Sequence, residues 1–281
     1  MQRLKKYRAI VLLLTFLHFS FADTPNGTDI TNLSANEWVA QDSVRFIAHR
    51  GISFYYPENS LQSVEASARH GFRAVELDIS RSADDSLIVF HDDNGLRLLG
   101  IDKDISEFKT SELKKLPILY HGKKSQSYVM TVRELLQDKK GNFLFYFDMK
   151  VSSFRDAAGI AKLIRAAGCT RSVLVANSSA KFVLYLKLKY PDILTCLEGF
   201  DAGKEWTYHF FPRRLRPDYY SGFLQYTNQR HIAWLKKHGL MCRRIVYGVD
   251  SSNLKTALQD GFRNIILDYD SSMQLNYSVK R

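Results

Sequence analysis

From Val44 to Leu267 the chain alternates short apolar runs with amphipathic ones, and that alternation narrows the folds open to it. Val44 to Ala48 reads as a strand. Ser60 is placed as an N-cap for a helix with apolar positions at Leu61, Val64, Ala66 and Ala68, and Gly71 is placed to end it. Further strand patterns lie at Ala74 to Ile79, Leu87 to Phe90, Asn142 to Phe147, 172–176, 193–197, Cys242 to Tyr247 and Phe262 to Leu267. Helical patterns cover 153–167, 180–190, Gln229 to His238 and Ser251 to Asp260, and Thr131 caps one that runs to Leu136. Strands alternating with helices imply parallel strands joined by crossover helices. With Phe223 to Tyr226 counted, nine runs qualify as strands, one more than an eight-stranded barrel uses. The run at 223–226 is the weakest of them. Only the turn Asp84-Asp85-Ser86 separates the strands at 74–79 and 87–90, so no helix fits between them.

Reactive side chains stand where three of these strands stop. His49-Arg50-Gly51 follows the first, Glu76-Leu77-Asp78 lies within the second, and His91-Asp92 follows Leu87 to Phe90. A group placed at a strand end is held rigidly and still faces a pocket. Glu76 and Asp78 are spaced i, i+2, so in an extended strand both point to one side. Two carboxylates that close repel unless a cation lies between them, and an all-oxygen set suits Ca²⁺ or Mg²⁺. Taken alone, such a pair is as readily a solvated surface feature. Its apolar neighbours Val75, Leu77 and Ile79 point instead to a buried setting.

His-Arg-Gly at 49–51, Pro-Glu-Asn-Ser at 57–60, Glu-x-Asp at 76–78 and His-Asp at 91–92, in that order and at those gaps, resemble the glycerophosphodiester phosphodiesterase family. The likeness runs more loosely over about 44–270. It implies a TIM-type (β/α)8 barrel with a small insertion, about 93–130, over the mouth. It also implies hydrolysis of glycerophosphodiesters to sn-glycerol 3-phosphate and an alcohol. In that reading His49 and His91 are the acid/base pair, a task suited to imidazole. Glu76, Asp78 and Asp148 would hold a divalent cation, Ca²⁺ or Mg²⁺. Arg50 and Lys150 would meet the phosphate, and Tyr247 would wall the pocket.

The chain departs from the family pattern at several of these positions. Asp148-Met149-Lys150 stands where the family has Glu-x-Lys, and the shorter side chain leaves direct ligation by residue 148 open, with Glu58 or Glu198 as substitutes. Tyr247-Gly248-Val249-Asp250 replaces a Trp-Thr-Val-Asn pattern, and Leu267-Asp268-Tyr269 resembles a Thr-Asp-x-Pro ending without its Thr or Pro. Gly51 would let the backbone turn close to the ligand, and Glu58 and Asn59 would order that loop. Three other readings stay open: a lysophospholipase D-like hydrolase, a phosphatidylinositol-type phospholipase C-like hydrolase, and a catalytically impaired barrel that only binds.

Outside the barrel, Arg3, Lys5, Lys6 and Arg8 precede an apolar run from Ala9 to Phe21, with small Ser20 and Ala22 at a cleavage site. That is the layout of a secretory signal peptide over 1–22, and it implies a secreted or periplasmic protein. The apolar run falls short of the roughly 20 residues that span a bilayer. Residues 23–43 read as a linker and 271–281 as a C-terminal tail. Removal of four cations with the leader takes the net charge from +11 to +7. A basic surface suits anionic substrates or membranes. No basic stripe with interleaved aromatics or known module points to nucleic acid. The expected partner is a small glycerophosphodiester or lysophospholipid, and the aromatic run Trp206 to Phe211 leaves peripheral membrane contact open. Cys169, Cys196 and Cys242 are too few and too far apart for a disulfide framework, although one bridge is left open. Cys196 and Cys242, in strand-like runs, are expected to be buried.

Overall fold

The computed structural model describes residues 44–139 and 143–273. The expected leader at 1–22, the linker at 23–43 and the tail from 274 onward lie outside the described residues. The strands are β1 (Arg45–Ala48), β2 (Ala74–Arg81), β3 (Leu87–Val89), β4 (Pro117–Tyr120), β5 (Lys123–Tyr128), β6 (Leu144–Met149), β7 (Val173–Asn177), β8 (Leu194–Leu197), β9 (Tyr219–Phe223), β10 (Arg244–Val249) and β11 (Asn264–Leu267). Around the main sheet the order is β1-β11-β10-β9-β8-β7-β6-β2-β3, and β1 also pairs with β2. That extra pairing closes eight parallel strands into a barrel and leaves β3 on its outside.

The surplus strand is therefore β3, not the run near residue 223. Residues 82–86 are too short for a crossover, and a parallel return needs a dozen or more residues. β3 accordingly lies antiparallel on β2, with Ile79 opposite Val89. The weak run is a true barrel strand set earlier in the chain, at Tyr219–Phe223, and Leu224–Tyr226 is a 3₁₀ turn after it.

Alternating residues fill the barrel: Ile47, Leu144, Tyr146, Leu174, Cys196, Tyr219, Ile245 and Ile266 face one another inside. The opposite faces pack under the crossover helices in two larger clusters. Ser60 caps helix Leu61–Arg69 as its sequence requires, with a reciprocal Ser60–Ser63 capping box. Cys242 is a correction: it lies exposed in the 3₁₀ turn Met241–Arg243, because β10 begins only at Arg244. Cys169 and Cys196 are buried, and no disulfide joins any of the three cysteines.

The segment after β3 carries helices Leu96–Leu99 and Thr110–Leu113 and the antiparallel hairpin β4–β5. Ile88, Phe90, Leu99, Phe108, Leu113 and Ile118 give it a small core of its own. The turn at His121-Gly122, both at positive φ, was legible. The polar strand Lys123–Tyr128 was not, because nothing in Lys-Lys-Ser-Gln-Ser-Tyr marks a strand. The Tyr120 hydroxyl donates to the Phe54 carbonyl and ties the hairpin to the loop after β1.

That loop depends on Gly51. Its φ is +75°, and a Cβ there would lie 2.5 Å from Ser63 Oγ and 2.7 Å from the Ser63 carbonyl carbon. The close approach is to Ser63 in the first turn of the helix Leu61–Arg69. Gly51→Ala should cost about 2–4 kcal/mol, from left-handed backbone plus overpacking, with the loss read from the denaturant midpoint.

Candidate active site at the C-terminal ends of the strands

In β2, Glu76 and Asp78 both face inward and are buried. Their parallel neighbour β6 sets Asp148 directly opposite Asp78. Adjacent strands lie only about 4.8 Å apart, so an aspartate at 148 reaches the pair without the missing methylene. One oxygen from each of Glu76, Asp78 and Asp148 lies within 4.8 Å of the others. Of the two substitutes, Glu58 is tied to Arg50 and Arg97. Glu198 stands beside Asp148 and accepts from Tyr146 Oη at 2.7 Å.

Environment drives the first two carboxyls apart. Burial, with the charge of Asp78 added, pushes Glu76 up to about 8. Asp78 is as deeply buried, but the cations Lys150 and Arg50 outweigh desolvation and hold it below its ordinary value. Lys150 Nζ lies 2.8 Å from Asp78 Oδ1 and 2.5 Å from Asp148 Oδ2, so the ammonium bridges the two aspartates. Burial and the charge of Asp148 push Glu198 well above the carboxylate range. Three convergent oxygens, two of the carboxylates buried and one unable to ionise easily, are a donor set that fits a hard divalent cation.

The loop from 49 to 60 holds this cluster from the side. Arg50, at φ +54°, turns its backbone N–H onto Glu76 Oε2 at 2.9 Å. Its guanidinium binds Glu58 through Nη1 at 2.8 Å. Its Nε lies 3.2 Å from Asp78 Oδ2, within ion-pair reach but without hydrogen-bond geometry. Arg50 is thus engaged by carboxylates. Asn59, also at positive φ, grips Asp78 twice: Nδ2 donates to Oδ2 at 2.8 Å, and Oδ1 accepts from the Asp78 N–H at 3.0 Å.

Both histidines present Nδ1 to a carboxylate. His49 Nδ1 lies 2.5 Å from Asp268 Oδ1, just after β11, and His49 Nε2 lies 3.7 Å from Glu76 Oε2. Burial lowers the His49 pKa, but the bond to Asp268 and the charge of Glu76 outweigh it, and the net shift is upward. His91 Nδ1 lies 2.7 Å from Asp92 Oδ1, and the imidazole acts on the charge of Asp78. One imidazole therefore flanks Glu76 and the other Asp78. Tyr247 sits half-buried on the inner face of β10, its ring 4.6 Å from that of Phe223.

Two groups here had little trace in the sequence. Asp268 lay in the Leu-Asp-Tyr ending but without a role, because only closure of β11 on β1 brings it to His49. Arg97 sits in a polar, broken stretch with no pattern around it. It makes four hydrogen bonds: to Asp92 at 2.6 and 2.7 Å, and to Glu58 at 2.7 and 2.8 Å. Asp92 orients His91 and Glu58 holds Arg50, so one guanidinium fixes both sides of the site. An open groove lined by His91, Asp92, Arg97 and Lys150 runs along it. Arg97→Ala should lower kcat by about 10²-fold through misplacement while moving stability by less than about 1 kcal/mol. Steady-state kinetics beside a thermal melt would separate the two.

Strand ends on a parallel barrel are where such folds carry their chemistry, and here they define a barrel with an acidic, cation-ready mouth flanked by two carboxylate-paired histidines. A model of the glycerophosphoryl diester phosphodiesterase family matches residues 49–260, and the chain belongs to that family. It is 27% identical over 157 residues to glycerophosphodiester phosphodiesterase 1 of Bos taurus, covering 54% of this chain and 46% of that protein. The chain spans less than half the length of the curated relatives it matches. Among solved structures, it is similar to a phosphodiesterase of Oleispira antarctica in complex with the product sn-glycerol-3-phosphate, at TM-score 0.70 and 19% identity over 80% of this chain and 93% of that one. A glycerophosphodiester phosphodiesterase of Agrobacterium tumefaciens superposes at TM-score 0.67 and 21% identity, over 80% and 96%.

Proposed function

We propose that the chain hydrolyses glycerophosphodiesters to sn-glycerol 3-phosphate and an alcohol. The observation that carries this reading is the convergence of Glu76, Asp78 and Asp148 between two histidines that each keep Nε2 free of their carboxylate partner. Glu76, Asp78 and Asp148 would hold a divalent cation, Ca²⁺ or Mg²⁺. Such an ion supplies Lewis acidity toward a phosphoryl oxygen and offsets the charge that grows there.

The chain's own residues do the rest. Asn59 and the Arg50 N–H keep the carboxylates aimed. Lys150, at the rim of the acid cluster, offers a point charge to a phosphate oxygen. One imidazole takes the proton of the attacking nucleophile and the other gives one to the leaving alkoxide, each fixed by its carboxylate partner. Tyr247 walls the pocket beside Phe223. The two paired histidines favour hydrolysis over a binding-only barrel. A basic N-terminus followed by an apolar run supports export, with residues 1–22 removed.

The test is release of glycerol 3-phosphate from a panel of head groups, with EDTA and with added Ca²⁺ or Mg²⁺. Chelation should abolish release and metal should restore it. Asp148→Glu should lower the metal concentration for half-maximal rate, and Asp148→Ala should raise it. Full activity of the stripped protein would remove the cation from the scheme.

A further inference from the structure

The helix Trp206–Phe210, on the connection from β8 to β9, turns its two largest apolar side chains to solvent. Trp206 and Phe210 are each 65% exposed. Spaced i, i+4, they share one face of the helix. Their exposure is not a by-product of poor anchoring. From the same segment Phe211 is buried, and Tyr208 packs edge-on against Trp234 at 5.4 Å. The helix is held from beneath and shows its aromatics outward.

The charge beside them is positive and unmatched. Arg213 and Arg214 are exposed and form no ion pair among the described residues. The nearby acid Glu205 is occupied by the buried His231, 2.8 Å away. Arg216 is different, stacked on the Tyr208 ring at 3.8 Å and serving the fold. Exposed aromatic side chains on one helix face, with free arginines a few residues further along, match the boundary between acyl chains and anionic head groups.

The patch lies on the barrel flank, where Tyr208 and His209 pack on His238 at the C-terminal end of helix Gln229–Lys237. The segment leaves the barrel immediately after Glu198, beside Asp148. It is pinned to the β9 turn by Ala202 N–H donating to the Tyr226 carbonyl at 3.1 Å. From there the rings of Tyr226, Phe223 and Tyr247 run inward at 5.6 and 4.6 Å spacing. We infer that residues 204–214 form an interfacial docking surface for anionic membranes, which holds the barrel at lipid by its flank. Its bearing on lipid substrates rests on the hydrolase reading above. The docking itself does not.

The full chain is mixed with vesicles of phosphatidylglycerol and phosphatidylcholine, with or without brominated acyl chains, and tryptophan emission is recorded. Trp38, Trp206 and Trp234 all emit, so Trp206→Phe supplies the background. Brominated lipid should quench the difference signal that belongs to Trp206. Arg213→Glu with Arg214→Glu should reduce that quenching roughly tenfold at a given lipid concentration, because electrostatic attraction is lost. In a second arm, Trp206→Ala with Phe210→Ala should slow hydrolysis of vesicle-borne lysophospholipid and leave water-soluble glycerophosphocholine turnover unchanged. If Trp206 emission ignores the brominated lipid, the surface is no membrane contact and the inference falls. Quenching without turnover of either substrate would overturn the hydrolase reading alone.

Discussion

Alanine at His49 or at His91 should each lower turnover of a glycerophosphodiester by about 10²–10⁴-fold, the span typical of a lost general acid or base. The two should part company when the leaving group changes. An alkoxide must be protonated as it departs, whereas p-nitrophenolate leaves with little help. The variant whose rate is partly restored on a p-nitrophenyl ester therefore lacks the general acid, and the other lacks the base. Asp268 and Asp92 enter the same test. Each fixes its imidazole through Nδ1, at 2.5 and 2.7 Å, so Asp268→Asn should mimic His49→Ala in leaving-group preference with a smaller loss. Equal losses on both substrates for both histidine variants would defeat a division of roles.

Much of this arrangement was legible because it is local. The i, i+2 spacing of Glu76 and Asp78 fixes a shared face as soon as the segment is a strand. Ser60 and Gly71 bracket a helix by capping and backbone chemistry alone. What was illegible depends on closure. Whether Asp148 reaches the acid pair turns on its register opposite Asp78, which side-chain length cannot reveal. Asp268 meets His49 only because the last strand pairs with the first, across 219 residues of sequence. Arg97 has no periodic context, and its four bonds exist only once the insertion folds over the loop from 49 to 60. The miscounted strand has the same origin: β3 carries the apolar content of a barrel strand, and only the length of its connection tells that it runs the other way. Cys242 was misread in the opposite sense, an apolar-looking neighbourhood that turns out to be a 3₁₀ entry to β10.

Glu76→Gln should separate stability from function, with opposite signs. In the metal-free protein the carboxyl of Glu76 is pushed from its ordinary 4.5 up to about 8, by burial first and by Asp78 second. Between those pH values the folded chain keeps a proton that the unfolded chain has released, so stability falls as pH rises across the window. A neutral amide has no such proton and still offers an oxygen to the Arg50 N–H. The metal-free variant should therefore be the more stable protein near pH 8, by on the order of 2–4 kcal/mol, and the two should converge toward pH 4.5. Added Ca²⁺ or Mg²⁺ should reverse the ranking, because a bound ion stabilises only the chain that can hold it. Activity should move the other way, down about 10³-fold, in line with several kcal/mol of charge stabilisation lost. Denaturant unfolding at several pH values, with EDTA or with metal, measures both halves. If the parent is the more stable protein at pH 8 without metal, Glu76 is not the strained carboxylate that makes this mouth ready for a cation.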